Sequence, residues 1–285
     1  MSLPVNCAIS NEKDDCFDLL NVKVNDKTVL IIRLISLKTW VNLKNQALGK
    51  FQGLLLKQKD NRHAGIACVI LWEDLWVMEN EIVESRLSAI LGISQRIPGR
   101  MTKVRRIDKP TAVDFLNKNH LQHSVSAKFK YGLYLPKQYF RILKAENQFD
   151  TSAPELLVGV ATFSHPRIFE REGKPFRSYE LIRFANLKYS TVVGGFDKLL
   201  RAFEEDCKPD DIMTYADLDW SDGASYKRLG FDAVSEKDPI PFYLDLTSLK
   251  RFSIPGNNDI QSRIQVYNGG SRKFVKEILA SFARL

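Results

Sequence analysis

The sequence predicts an α/β protein of the α+β kind, and three observations point there. Short β-branched runs such as Val29-Leu30-Ile31-Ile32 and Val69-Ile70-Leu71 alternate with stretches whose apolar residues recur at helical spacing. A length of 285 residues with 44% hydrophobic and 27% charged residues is enough for one or two buried cores, and is far from the composition of a disordered chain. Within residues 178–231 an extended run, a glycine loop, an amphipathic helix and a second apolar run follow one another. That succession is either a physical device for holding an anion or only a tight connection before a helix. The first turn of a helix leaves backbone N–H groups without partners, and glycines let a ligand approach them closely.

Taken in order, apolar runs over 19–24 and 28–35 flank Asn25-Asp26, a hairpin signal. Trp40, Leu43, Ala47, Leu48 and Phe51 predict a helix within 38–57, and 65–72 is an apolar strand ending in Trp72-Glu73-Asp74-Leu75-Trp76. Ile82, Val83, Leu87, Ile90 and Leu91 line one face of a helix over 79–91 that Gly92 stops. A strand over 103–107 precedes a helix over 111–119, announced by Asp108-Lys109-Pro110, and strands over 129–135 and 155–164 follow. The polar segment 136–154 is long for a hairpin loop, with Tyr139, Phe140, Ile142 and Leu143 offering a short helix.

Residues 178–185 form a strand whose alternation puts Glu180 on one face with Ile182 and Phe184, opposite Tyr179, Leu181 and Arg183. Next come a helix over 197–206, a strand over 212–216 and a short helix around Ser225-Tyr226-Lys227. A last sheet strand over 242–246 and a final amphipathic helix over 272–285, docked by Ile278, Leu279 and Phe282, complete the chain. The expected division is a small α/β unit over 1–98, a larger domain over 99–247 and a C-terminal extension over 248–285.

Three motifs in sequence carry a resemblance. Glu180-Leu181-Ile182-Arg183-Phe184, then Val192-Val193-Gly194-Gly195-Phe196-Asp197-Lys198-Leu199-Leu200, then Ser225-Tyr226-Lys227-Arg228-Leu229-Gly230-Phe231 resemble the signature regions of the GNAT acetyltransferase superfamily. The resemblance implies a mixed, mostly antiparallel sheet flanked by helices, and acetyl-CoA or another acyl-CoA as co-substrate of an N-acyltransferase. Its loop falls on Val193, Gly194, Gly195, Phe196 and Asp197, with two departures from the family pattern, Thr191 at the leading Gln or Arg position and Phe196 at the second small position. The region around Trp72–Trp76 and the helix after it resembles the tail of a Vsr-like nuclease domain. The hairpin strand over 29–35 carries no carboxylate to hold a catalytic ion, so this unit is read as a nuclease-like remnant without activity.

The candidate site residues each keep two roles. Tyr226 either protonates a leaving thiolate or packs its helix on the sheet. Glu180 either serves as the base that deprotonates an acceptor amine or pairs with an arginine, and Asp219 is the other candidate base. Asp217 belongs to an acidic stretch suited to a cationic amine or a basic peptide. His120 is either a substrate contact or a packing histidine.

A net charge of +8 favours an acidic partner. Arg96, Arg100, Lys103, Arg105, Arg106 and Lys109 crowd one segment, either a solvated linker or a nucleic-acid-contacting surface. This supports the alternative reading, an inactive GNAT-like protein that binds nucleic acid. Cys7, Cys16, Cys68 and Cys207 form no C-x-x-C pair and read as free thiols. His120 and His123 have no third ligand nearby in sequence, so no metal is expected. No apolar run approaches the ~20 residues that cross a bilayer, and no leader pattern is visible, so the expectation is a cytoplasmic protein without a membrane partner.

Overall fold

A computed structural model describes residues 7–143, 149–253 and 263–278. They form a mixed α/β structure with sheets flanked by helices, divided into two compact units. One comprises Met1–Asn80, Tyr215–Ser225 and Ala233–Lys273; the other comprises Glu81–Thr214, Tyr226–Asp232 and Phe274–Leu285. The chain therefore returns to each unit, where the sequence reading divides it consecutively at 98 and 247.

In the first unit, β1 (Cys7–Asp14), β2 (Phe17–Val24) and β3 (Lys27–Ile35) form an antiparallel meander. Asn25 and Asp26 turn the β2–β3 hairpin with φ of 49° and 61°, the left-handed pair that short Asn/Asp loops tolerate. Helices α1 (Leu37–Leu43) and α2 (Ala47–His63) then lead to β4 (Ala67–Trp72), parallel to β3. Ser36 caps α1 by accepting from Thr39 N–H at 3.1 Å. Trp40, Phe51 and Trp72 pack edge-on or tilted against one another at 4.9–5.9 Å between centroids. Arg33 on β3 is buried and pairs with Asp14 at 3.4 Å.

Helix α3 (Glu73–Ile90) begins six residues earlier than the hydrophobic periodicity indicates, and Glu79, with φ of −135°, breaks it at the predicted start. Acidic Glu73 and Asp74 in its first turn explain the earlier beginning, since they favour the positive end of the helix dipole.

The second unit contains β5 (Gln95–Pro98), β6 (Lys103–Arg106), α4 (Lys109–Asn119), β7 (Phe129–Pro136), β8 (Glu155–Phe163) and β9 (Arg167–Arg171). After these come β10 (Lys174–Asn186), β11 (Ser190–Val193) and α5 (Gly195–Cys207). Strands β12 (Asp211–Asp217), β13 (Asp232–Lys237) and β17 (Ser271–Glu277) have residues in both units, as the helix α6 (Ala224–Lys227) does. The remaining strands are β14 (Pro241–Asp245), β15 (Arg251–Phe252) and β16 (Arg263–Tyr267).

The large sheet has the order β13-β17-β12-β10-β8-β7-β6, with β9 paired to β10 off this path. Its neighbours β6, β7, β8 and β10 are antiparallel, while β10 and β12 are parallel. Two faces result: Phe129, Tyr131 and Phe163 pack against α5, and Val160 and Ala185 pack against Ala112, Phe115 and Leu116 of α4.

Three expectations are corrected here. The strand over 242–246 forms, but in a separate sheet of order β15-β14-β16, where Leu244 joins the cluster around Trp40. Residues 271–277 are a strand instead of the start of a helix, because Phe274 alone is buried there and one buried residue in seven makes no helical stripe. The rest of that predicted helix, 279–285, lies outside the described residues. The third correction concerns β10. The register shifts between Leu181 and Arg183, which pair with Phe163 and Thr162, so a β-bulge reverses the alternation. Phe184 thereby comes to the α5 face with Tyr179 and Leu181, and Glu180 does not share its face.

Candidate functional site

Helix α5 is fixed by its apolar stripe. Leu199, Leu200 and Phe203 are fully buried, and Phe203 stacks on Phe163 at 3.8 Å with rings 3° from parallel. Its first intrahelical bond runs from Lys198 N–H to Gly194 O at 3.1 Å, which leaves the N–H groups of Gly195, Phe196 and Asp197 outside the helical ladder. Gly194 stands at the N-cap with φ of 75°, supplies no side-chain cap, and has no atom within 4 Å of where a Cβ would be. Gly195 is the opposite case. A Cβ there would meet Val192 Cγ1 at 2.7 Å and Leu133 Cδ1 at 2.8 Å, so the helix approaches the sheet only through glycine.

The segment after β5 braces the loop. A Cβ on Gly99 would lie 2.6 Å from Val193 O, and the Lys198 ammonium donates to Gly99 O at 3.2 Å and to Thr102 O. This contact carries little signal in sequence beyond Pro98-Gly99. Thr191, at the first departure from the family pattern, is bonded to Ser94 through their hydroxyls at 2.7 Å. Phe196, at the second, stacks on Phe184 at 4.4 Å and meets Tyr226 edge-on at 5.9 Å. The bulge that brings Phe184 to this face is what gives Phe196 a partner. Val193 is exposed, and Asp197 pairs with Arg201 at 3.0 Å.

Tyr226 completes an aromatic group with Phe196, Phe231 and Phe274. Burial raises its phenol above the ordinary value, against a smaller opposing effect of the Thr214 hydroxyl, so it stays protonated at neutral pH. The Thr214 hydroxyl donates to Leu181 O at 3.0 Å, beside the bulge.

Glu180 stands at the last rung of the β10–β12 ladder, opposite Met213. Its backbone is held on the other side by Ser164: Glu180 N–H donates to Ser164 Oγ and Ser164 N–H to Glu180 O, both at 2.9 Å. Sequence reasoning misses both Ser164 and Thr214, since neither lies in a recognisable motif.

His120 ends α4, and its Nδ1 accepts from Gln122 N–H at 3.1 Å, so a neutral ring carries its proton on Nε2. Burial first, and then the charges of Arg86, Arg183 and His123, hold its pKa down at about 3. Asp217 and Asp219 belong to the first unit, whereas Glu180, Tyr226, His120 and the α5 loop belong to the second. Asp219 is 6% exposed, its N–H donates to Asp217 Oδ1 at 3.0 Å, and its own Oδ1 lacks a partner. Burial, followed by the Asp217 charge, raises its carboxyl well above the ordinary range.

In the basic segment Arg105 and Arg106 are paired, with Glu155 and with Asp206 (2.9 Å). Arg96, Arg100 and Lys103 are exposed and make no ion pair among the described residues. Among those residues, too, no three His, Cys, Asp or Glu side chains gather as a metal site, and no helix is long and apolar enough to cross a membrane. Cys16, Cys68 and Cys207 are free thiols.

No family model and no curated protein matches the chain. Among solved structures it is similar to the NatC complex bound to Gag peptide and CoA, with 9% identity over 62% of this chain and 98% of that one and a TM-score of 0.31. It is also similar to NAA60 of Arabidopsis thaliana in complex with acetyl-CoA, with 11% identity over 62% and 99% and a TM-score of 0.35. A histone acetyltransferase HPA2-related acetyltransferase from Corynebacterium glutamicum gives 15% identity, 64% and 99% coverage and a TM-score of 0.33.

Proposed function

We propose that the chain is an acyl-CoA-dependent N-acyltransferase of the GNAT type, acting on an amine acceptor. One observation carries this reading. The parallel β10–β12 ladder ends at Glu180 and Met213, a bulge follows at once, and β10 then leads through β11 into a helix whose first turn is open at Gly194. Counted along the sheet path from β6, β10 and β12 are the fourth and fifth strands, the pair whose parting the resemblance assigns to the thioester.

In this reading the N–H groups of the loop from Val193 to Asp197 hold the pyrophosphate of acetyl-CoA or another acyl-CoA. The open side of Gly194 fits that role, because an anion reaches unbonded N–H groups there without meeting a side chain. When bound, the co-substrate supplies the activated acyl thioester. Glu180, at the end of the ladder, takes the proton from the acceptor amine. Tyr226, kept protonated by burial, gives its proton to the leaving thiolate. His120 contacts the acceptor through Nε2–H.

Calorimetric titration with acetyl-CoA and with longer acyl-CoAs tests this. Micromolar binding that Gly194→Glu abolishes supports the reading. Glu180→Gln and Tyr226→Phe should then lower turnover of an amine panel by about 10²–10⁴-fold without loss of acyl-CoA affinity. Absence of any acyl-CoA binding overturns it.

A second reading rests on the unpaired Arg96, Arg100 and Lys103: a GNAT-like scaffold that binds nucleic acid. Salt-dependent DNA affinity that weakens when these three are neutralised supports it, and affinity indifferent to them removes it.

A further inference from the structure

We propose that the amine acceptor is itself anionic: the amine is carried on a molecule with a carboxylate or phosphate of its own, which Arg86 and Arg183 hold. This rests on the acyltransferase reading above and names the acceptor class for it. Arg183 stands at the β10 bulge, just beyond Glu180, and pairs with Thr162 on the α4 side of the sheet. Its guanidinium is tied to the turn that ends α4: Nε donates to His123 O at 3.1 Å, and Nη1 donates to Ile182 O at 2.9 Å. That turn is closed by His123 N–H on His120 O at 2.8 Å. Within it Gln122 N–H fixes Nδ1 of the His120 ring, so the ring offers Nε2–H.

Arg86 comes from the part of α3 that belongs to the same unit. The helix is joined there to the β10–β11 connection: Tyr189 N–H donates to Ser85 Oγ at 2.8 Å, and Lys188 pairs with Glu81. Glu84, the other carboxylate of α3 in this unit, accepts from the Tyr189 hydroxyl at 3.4 Å. The charges acting at the His120 ring have one sign, those of Arg86, Arg183 and His123, and Arg86 and Arg183 act on the Tyr226 phenol as well. Arg86, Arg183, His120 and Tyr226 each keep accessible surface, so a ligand reaches them without the fold opening.

Two arginines beside Tyr226 disfavour a protonated amine and favour the neutral one that attacks. They also select what the amine is carried on. A polyamine or a lysine-rich peptide brings further positive charge to them, whereas a carboxylate or phosphate matches their planar forks of N–H donors. In the transfer the amine nitrogen bonds the acyl carbon and the C–S bond breaks. Glu180 takes the nitrogen's proton and Tyr226 gives one to the sulfur, so the arginines stand outside the proton transfers and act by positioning the acceptor.

Calorimetry on the CoA-saturated full chain tests this with matched probes: β-alanine against β-alaninamide, O-phosphoethanolamine against ethanolamine, and putrescine. At least one anionic amine should bind about tenfold or more tighter than its counterpart, and putrescine should bind most weakly. Which anion wins separates a carboxylate carrier from a phosphate one. The favoured amine should also be the one acetylated from acetyl-CoA. Arg86→Gln and Arg183→Gln should each cut the ratio of the paired affinities at least about threefold, with Arg86→Lys and Arg183→Lys in between. A merely structural arginine would weaken both members of a pair equally and leave that ratio unchanged. Failure of CoA and acyl-CoAs to bind removes the acyltransferase reading and this inference with it. Acyl-CoA binding with no anionic amine bound or preferred, a bound anionic amine that is not acetylated, or a preference that both glutamine variants keep overturns this inference alone.

Discussion

Helices α4 and α5 pack on opposite faces of the same sheet and begin in opposite ways. Asp108 precedes α4 and accepts from Thr111 N–H at 2.9 Å, and Pro110 follows in the first turn, so this terminus is closed by its own sequence. Gly194 precedes α5, supplies no side chain, and leaves the first turn open. Both solutions start a helix. The second leaves three successive N–H groups uncapped by any side chain, at the cost of a cap that the large apolar contact of Phe203 with Phe163 and its neighbours offsets.

The largest effect that would break this contrast is at Gly194. Its replacement by Glu puts a side chain and a negative charge into the open side and strains a backbone at φ of 75°, so acetyl-CoA binding, measured by calorimetry, should fall by at least about tenfold. Retained binding would mean that α5 is not the phosphate holder.

Gly195→Ala acts next door but on packing. Its Cβ would press on Val192 and Leu133, and urea unfolding should show a loss of about 1–3 kcal/mol. A neutral result would show that the helix can retreat from the sheet.

At the far end of α4, His120 offers a titration. Its folded pKa of about 3 lies below the unfolded value near 6.5, so the unfolded chain binds the extra proton first. The stability associated with the neutral ring is complete above pH ~6.5 and is lost progressively as pH falls toward 3. Unfolding midpoints of His120→Gln should therefore depend less on pH across this window than those of the parent protein.

The smallest effect belongs to Asp108→Ala. Hydrogen bonds from Thr111 hold this carboxylate below the ordinary range, so its contribution is present above pH ~4 and fades as pH falls through the lower folded value. The substitution should lower the melting temperature slightly at pH 7, and acetyl-CoA affinity should not change. A loss of affinity equal to that of Gly194→Glu would erase the distinction between the two termini.

Much of the fold was legible because it rests on local chemistry. Asn25-Asp26 turned the first hairpin, Asp108-Lys109-Pro110 started α4, and the amphipathic helix expected over 197–206 formed as α5. The misses have a common cause. Strands β9 and β13 are exposed throughout, so no alternation marks them. Residues 271–277 carry charges that suit a helix surface, and they became a strand through pairing in the large sheet. For the site, the glycine loop and Tyr226 stood out as residue types. That Phe196 would find Phe184 depended on a bulge, which no side chain in the 178–186 run announces.

By itself the sequence determined the α/β character, the existence of the long helices, the start of α4, the hairpin and the candidate anion loop, because propensities, caps and periodicity act within a few residues. Only the tertiary structure decided the discontinuous units, the parting of β10 from β12 after Glu180, the burial of Asp219 and the unsatisfied hydroxyl of Thr162. These depend on which strands become neighbours, and burial and unmade hydrogen bonds are properties of those neighbours, not of the residues alone.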